Sequence, residues 1–186
     1  VILFYLIWKF KKIEYDVSQN EHPICLRLCN QIQDEVNEMK LRFNYRTANA
    51  PAYQAMQTLD KFVSSTLDPV LLELIKIRAS QINGCAFCID MHAADLMKMG
   101  DHTNRIMLLS VWREAPVFTD KEKAVLELTE YVTEIAEAGV PQSVYEKVRE
   151  HFNEKEYADL ILAIATINSW NRIAISTGMH PGCFDK

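Results

Sequence analysis

Glycine and proline are scarce in this chain, 5 and 6 among 186 residues, and they fall between long helix-forming runs rather than inside them. No segment shows the bounded apolar–polar alternation that marks a half-buried strand. Basic residues carry no surplus: 20 lysines and arginines stand against 25 aspartates and glutamates, for a formal charge of -5. Such a chain lacks the global basic footprint that drives nucleic-acid binding. The opening run, Val1 to Trp8, has eight apolar residues, far fewer than the ~20 a helix needs to cross a bilayer. Its lysines follow the run instead of preceding it, and no small-residue cleavage site comes next, so it does not read as a secretory signal. The 5 cysteines are an odd number, which does not make a closed disulfide framework within one chain.

What is present is an ordinary globular balance, 49% hydrophobic and 24% charged, in a length suited to one domain with a real core. The pattern predicts an all-α fold, a multi-helix bundle. Glu21 to about Lys40 reads as a helix with Ile24, Leu28, Ile32 and Val36 on one stripe and Cys25 and Cys29 beside it. Asn49-Ala-Pro51 opens a helix to about Val63. Asp68-Pro69 is a stronger start, an N-cap followed by proline, with Val70, Leu71, Leu74, Ile75 and Ile77 as the buried stripe. Asn83-Gly84 ends it. The next helix carries the cysteines and runs to Met99, where Gly100 caps it. Further helices are predicted over about His102 to Trp112, from the capping box Thr119-Asp-Lys-Glu122 to about Glu137, in a short piece ending near His151, and from Asn153-Glu-Lys-Glu156 through Trp170.

The chemistry concentrates in Ser80 to His92, where Cys85 and Cys88 form the only CxxC and His92 lies four residues beyond the second cysteine. Residues three, four and seven apart share one helix face. With Cys85 in the first turn, both sulfurs and the imidazole point the same way, at a helix end whose partial positive charge favours thiolate. Four readings compete. A thioredoxin-like site needs a strand-to-helix junction, and here the CxxC stands between two helices. Structural zinc needs four ligands, and no second CxxC or histidine pair supplies them. A buried structural pair leaves His92 without a role. A redox dithiol uses all three: His92 as the base for Cys88, and Cys85 one turn away as the thiol that condenses with a sulfenic acid on Cys88. No metal or cofactor is implied.

Glu73, Cys85, Cys88 and His92 reproduce the Glu-x11-Cys-x2-Cys-x3-His pattern of AhpD-like alkylhydroperoxidases, in the carboxymuconolactone decarboxylase superfamily. Trp112-Arg-Glu-Ala-Pro116, Phe118-Thr-Asp-Lys-Glu122 and Asn168-Ser-Trp-Asn-Arg172 also resemble that family, and the likeness spans about Met39 to Gly182. The resemblance implies an AhpD-like helical domain with the CxxC at the N-terminus of a central helix. It implies a homo-oligomer, trimer or hexamer, and a peroxidase in which Cys88 attacks a hydroperoxide, Cys85 resolves it, and Glu73 and His92 relay the proton; a cytoplasmic setting is expected alongside. The reductant it implies is a dithiol such as that of a lipoyl-bearing protein. Glu73 enters through the resemblance alone, since twelve residues of continuous helix would hold it about 18 Å from Cys85. The break at Asn83-Gly84 must therefore fold the chain back.

Two features depart from the family. Phe87 stands where some members have a histidine, which predicts a shorter relay. Nothing before Met39 resembles the family, so residues 1–38 are expected to be an appendage and 39–186 the domain, with Met39 as the natural start. Two alternative functions are a redox sensor or interaction module without turnover, and a carboxymuconolactone decarboxylase-type enzyme, which has no use for a vicinal dithiol. Among other residues, His102, His151 and His180 read as surface or capping groups, and Trp112 and Trp170 as core or subunit contacts. Asn168, Asn171 and Arg172 read as orienting helices at the site or an interface. Tyr131 and Tyr157 are candidates to line a pocket.

Overall fold

The computed structural model describes residues 40–184. The predicted helix from Glu21 to about Lys40, with Cys25 and Cys29, lies outside them up to Met39, as does the proposed appendage, and Lys40 itself is not helical. The described residues are all helical in their regular structure: α1 Tyr45–Ala48, α2 Ala50–Ser64, α3 Pro69–Asn83, α4 Ala86–Lys98, α5 Thr103–Leu108 continued by a 3-10 turn at Leu109–Val111, α6 Asp120–Thr133, α7 Ile135–Ala138, α8 Gln142–Arg149 and α9 Glu154–Thr177. Among these residues no helix is long and apolar enough to cross a membrane.

The helix starts follow local chemistry. Asp68 caps α3 through a hydrogen bond from the Leu71 N–H, with Pro69 at the first position. Thr119 and Asn153 open α6 and α9 with reciprocal capping boxes to Glu122 and Glu156. Each such cap stabilises its helix by about 1 kcal/mol. Three boundaries differ from expectation. Asn44 caps the unpredicted short α1. The helix expected to reach Trp112 tightens into a 3-10 turn after Leu108, a common way for a helix to end. The helix expected to reach Glu137 breaks at Glu134, just after the β-branched pair Val132-Thr133, where Asn168 binds the Thr133 hydroxyl.

The core is organised around α3. One cluster joins its Leu71 and Ile75 to α6, α8 and α9, and a second joins Leu74 and Ile77 to Leu96, Trp112, Phe118 and Leu126. A third sets Ala79 against the two cysteines, Ile167 and Ala174. The sequence predicted one buried stripe on α3, but Leu72, Glu73 and Lys76 on its other side are buried too. A helix covered all round is a bundle's centre, not its surface. Its outer tie is Arg78, which pairs with Glu130 of α6; the same carboxylate accepts from Trp112 and Arg113. Burial pushes the Glu130 carboxyl up, but hydrogen bonds from Arg113, Trp112 and Arg78 outweigh it and hold the group below its ordinary value.

Candidate active site

The site is built where α3 turns back into α4. Gly84 takes a left-handed conformation, φ 70°, which a residue bearing a Cβ enters only at a cost. The Cys85 N–H then returns to the Ser80 carbonyl at 2.9 Å, in the manner of a helix-terminating Schellman turn. That reversal lays α4 along α3.

A buried amide network holds the turn. Asn83 Nδ2 donates to both Asn168 Oδ1 and Asn171 Oδ1 at 2.9 Å, and Asn171 Nδ2 donates to the Ser80 hydroxyl at 2.9 Å. The Ser80 hydroxyl in turn donates to the Lys76 carbonyl. Arg172 fastens Asn168 through its carbonyl and side-chain oxygen. The helix-orienting reading of Asn168, Asn171 and Arg172 thus takes a specific form: α9 grips the last turn of α3.

Cys85 is the N-cap of α4 rather than a first-turn residue, and its sulfur accepts the Cys88 N–H at 3.4 Å. The two cysteines are joined as a disulfide, with Cα atoms 5.4 Å apart. His92 lies one turn beyond Cys88, and its Nδ1 is 2.7 Å from Glu73 Oε2. Glu73 and His92 are each only 6% exposed. The turn therefore brings to the cysteine helix a carboxylate that helical arithmetic placed far off. With Nδ1 committed to Glu73, Nε2 is the ring nitrogen left to exchange a proton.

Cys88 and His92 open onto a cavity of about 180 Å³ lined by Tyr45, Arg46, Tyr53, Gln57, Asp60, Phe87, Met91, Trp170, Ala174 and Met179. Cys85 does not line it. Phe87, in place of a histidine, forms part of the wall and meets Phe184 edge-on, with ring centroids 6.0 Å apart. Trp112 is core, as expected, but Trp170 faces the cavity and stacks edge-on against Tyr53. Tyr131 and Tyr157 lie elsewhere, packed against the core around Ile164, although Tyr131 also borders a separate cavity beside Glu130. Of the three other histidines among the described residues, His102 stands at the N-cap of α5 without a side-chain cap bond, His151 is exposed, and His180 bonds the Pro181 carbonyl.

Sequence reasoning missed the charged groups around Glu73. Lys76, 5% exposed, places its ammonium 3.3 Å from Glu73 Oε1 and 3.7 Å from Asp60 Oδ1. Asp95 brings a carboxylate oxygen within 4.8 Å of Glu73 and His92. A signal for Lys76 existed: a glutamate and a lysine three apart inside the apolar run Leu71 to Ile77. Asp60, on a distant helix, offered none.

A helical bundle with a CxxC at a helix start, backed by a buried carboxylate–histidine pair, defines a dithiol site class. Residues 49–131 match the carboxymuconolactone decarboxylase family. The chain is 45% identical over 141 residues to the uncharacterized protein YdfG of Bacillus subtilis (strain 168), covering 75% of this chain and 96% of that one. A crystal structure from Agrobacterium tumefaciens, of a protein of unknown function provisionally assigned to antioxidant defence as AhpD, is 45% identical with TM-score 0.74, covering 76% of this chain and 99% of that one. An uncharacterized peroxidase-related protein from Silicibacter sp. TM1040, 21% identical over 88% of this chain and 87% of that one, shares the fold at TM-score 0.65. This chain belongs to the carboxymuconolactone decarboxylase family, as an AhpD-like member.

Proposed function

We propose that this protein is a thiol-dependent peroxidase that reduces hydroperoxides through a Cys85–Cys88 dithiol/disulfide cycle. The observation that carries the reading is that Cys88 and His92 share one cavity, while Cys85 is bonded to Cys88 from outside it and Glu73 holds His92 from behind. In the reduced protein, His92 Nε2 takes the Cys88 proton and Glu73 stabilises the resulting imidazolium. The Cys88 sulfur attacks the terminal hydroperoxide oxygen, the O–O bond breaks, and the departing alkoxide takes the proton from His92 as the alcohol. Cys88 is then a sulfenic acid. The Cys85 sulfur attacks it, the S–O bond breaks, and the hydroxide leaves with the Cys85 proton as water. The two electrons have come from the two thiols. An external dithiol, of the lipoyl class in this reading, reduces the disulfide by exchange and is itself oxidised.

Likeness to AhpD-like and peroxidase-related proteins supports this reading. A homo-oligomeric state, trimer or hexamer, and a cytoplasmic setting belong to the same proposal.

The test is hydroperoxide consumption with a lipoyl-type dithiol, comparing wild type with Cys88→Ser and Cys85→Ser. Turnover is expected only in wild type, with a trappable sulfenic acid in Cys85→Ser alone. Reversible disulfide formation without turnover would replace the peroxidase with a redox sensor. Cysteines indifferent to peroxide would overturn the redox assignment.

A further inference from the structure

The relay does not use Lys76, yet this lysine is buried in the second turn of α3 among carboxylates. A buried ammonium is costly unless paired, and here it joins carboxylates from two helices, Glu73 on α3 and Asp60 on α2. Glu73 in turn holds His92 at 2.7 Å. The chain of contacts runs Asp60, Lys76, Glu73, His92, and His92 shares its cavity with Cys88.

We propose that Lys76 is a positioning residue of the dithiol site, whose ammonium offsets the charge of Glu73 and so sets how readily His92 relieves Cys88 of its proton. The proposal rests on the dithiol reading of Cys88. It deepens that reading by adding the group that balances the relay.

The charges facing this line can be named helix by helix. On α3 they are Glu73 and Lys76. On α4 they are Cys88, His92 and Asp95; α2 brings Asp60 and Tyr53, and α1 brings Tyr45 and Arg46 at the cavity wall. From α9 only Trp170 and Ala174 reach the cavity, and neither titrates. Glu130 of α6 is occupied by Arg78, on another side of α3. With Lys76 in place, the buried Glu73–Lys76 pair is close to neutral. Without it, the Glu73 and Asp60 carboxylates act uncompensated on the coupled His92–Cys88 pair, and the added negative charge raises the pH at which the pair as a whole gives up its proton and leaves a free thiolate.

The test reads the thiol directly and needs no peroxide. In the full chain carrying Cys85→Ser, the pH dependence of Cys88 alkylation by iodoacetamide is measured by peptide mass mapping, so the remaining cysteines do not interfere. Lys76→Met is expected to move the midpoint up by about one pH unit, and Lys76→Arg to leave it within a few tenths. In a Glu73→Gln background, Lys76→Met is expected to move the midpoint less than half as far, since the charge it offset is gone. Asp60→Asn, at a partly exposed position, is expected to move it down. A Lys76→Met midpoint equal to the parent's, or a Lys76→Arg midpoint moved as far as that of Lys76→Met, would overturn the proposal. If Lys76→Met does not fold, an unmoved midpoint in Asp60→Asn overturns it. Peroxide turnover is assayed separately. A Lys76-dependent titration without turnover rejects the peroxidase and keeps this inference; turnover with a Lys76-independent titration does the reverse.

Discussion

Replacing Asn171 with alanine removes the amide that joins α9 to the last turn of α3. Asn171 is 0% exposed, and it makes two side-chain bonds of 2.9 Å, one to the Ser80 hydroxyl and one from Asn83. Asn83 keeps its bond to Asn168, and Ser80 keeps its bond to the Lys76 carbonyl. The loss is therefore two buried bonds of about 1 kcal/mol each, plus a small void where the amide stood. The sum is about 2–3 kcal/mol. With a urea m-value of about 2 kcal/mol/M, the unfolding midpoint should fall by about 1–1.5 M. The assay is urea unfolding followed by far-ultraviolet circular dichroism, with the disulfide intact in both proteins so that the redox state does not differ. Ser169→Ala is the control, because that hydroxyl is exposed and bonds only within its own helix; its effect should stay within about 0.5 kcal/mol. A fall of less than ~0.3 M for Asn171→Ala would refute the claim that this network pins the turn.

Glu130→Gln tests the charge cluster on the outer side of α3. Because the folded carboxyl is held below its ordinary value of 4.5, its ionisation contributes stability fully present above that pH and lost as pH falls through the lower folded value. The variant should be less stable than wild type near pH 7, with the gap closing in acid; a gap that is constant with pH in denaturant melts would contradict the assignment. Two of the helix-ending glycines, Gly84 and Gly178, should differ. At Gly84, φ +70° with open space around it, alanine meets only the left-handed backbone penalty, about 1–2 kcal/mol. At Gly178, φ +74°, an added Cβ would also lie 2.8 Å from the Lys40 carbonyl oxygen. Gly178→Ala should therefore cost at least about 1 kcal/mol more than Gly84→Ala in the same melts, and equal losses would show that the Lys40 segment yields freely.

Local chemistry carried most of the fold into the sequence. Asp68-Pro69, Thr119 to Glu122 and Asn153 to Glu156 mark helix starts because caps satisfy orphan N–H groups with side chains a few residues away. Gly84 and Gly178 mark ends because a left-handed residue is easiest without a Cβ. The boundaries that went astray, at Leu108 and Glu134, carry no glycine or proline, and the β-branched pair Val132-Thr133 before the second is found inside helices as well as at their ends. The spacing of Cys85, Cys88 and His92 was likewise legible, since all three lie within two turns of one helix.

Tertiary structure decided what those residues meet. Glu73 reaches His92 only because α4 doubles back along α3, a pairing between residues nineteen positions apart that no helical period encodes. The burial of Lys76 and its contact with Asp60 follow from α3 being covered on all sides, which depends on helices far away in the chain. The same holds for Trp170, whose helical spacing suits core and cavity wall alike until Tyr53 arrives from α2. The sequence by itself determined the helices, their caps and the dithiol, because these depend on neighbours within a turn or two. Only packing decided which charges surround the dithiol and which cysteine faces the cavity, because those contacts join elements whose meeting is settled by the whole core.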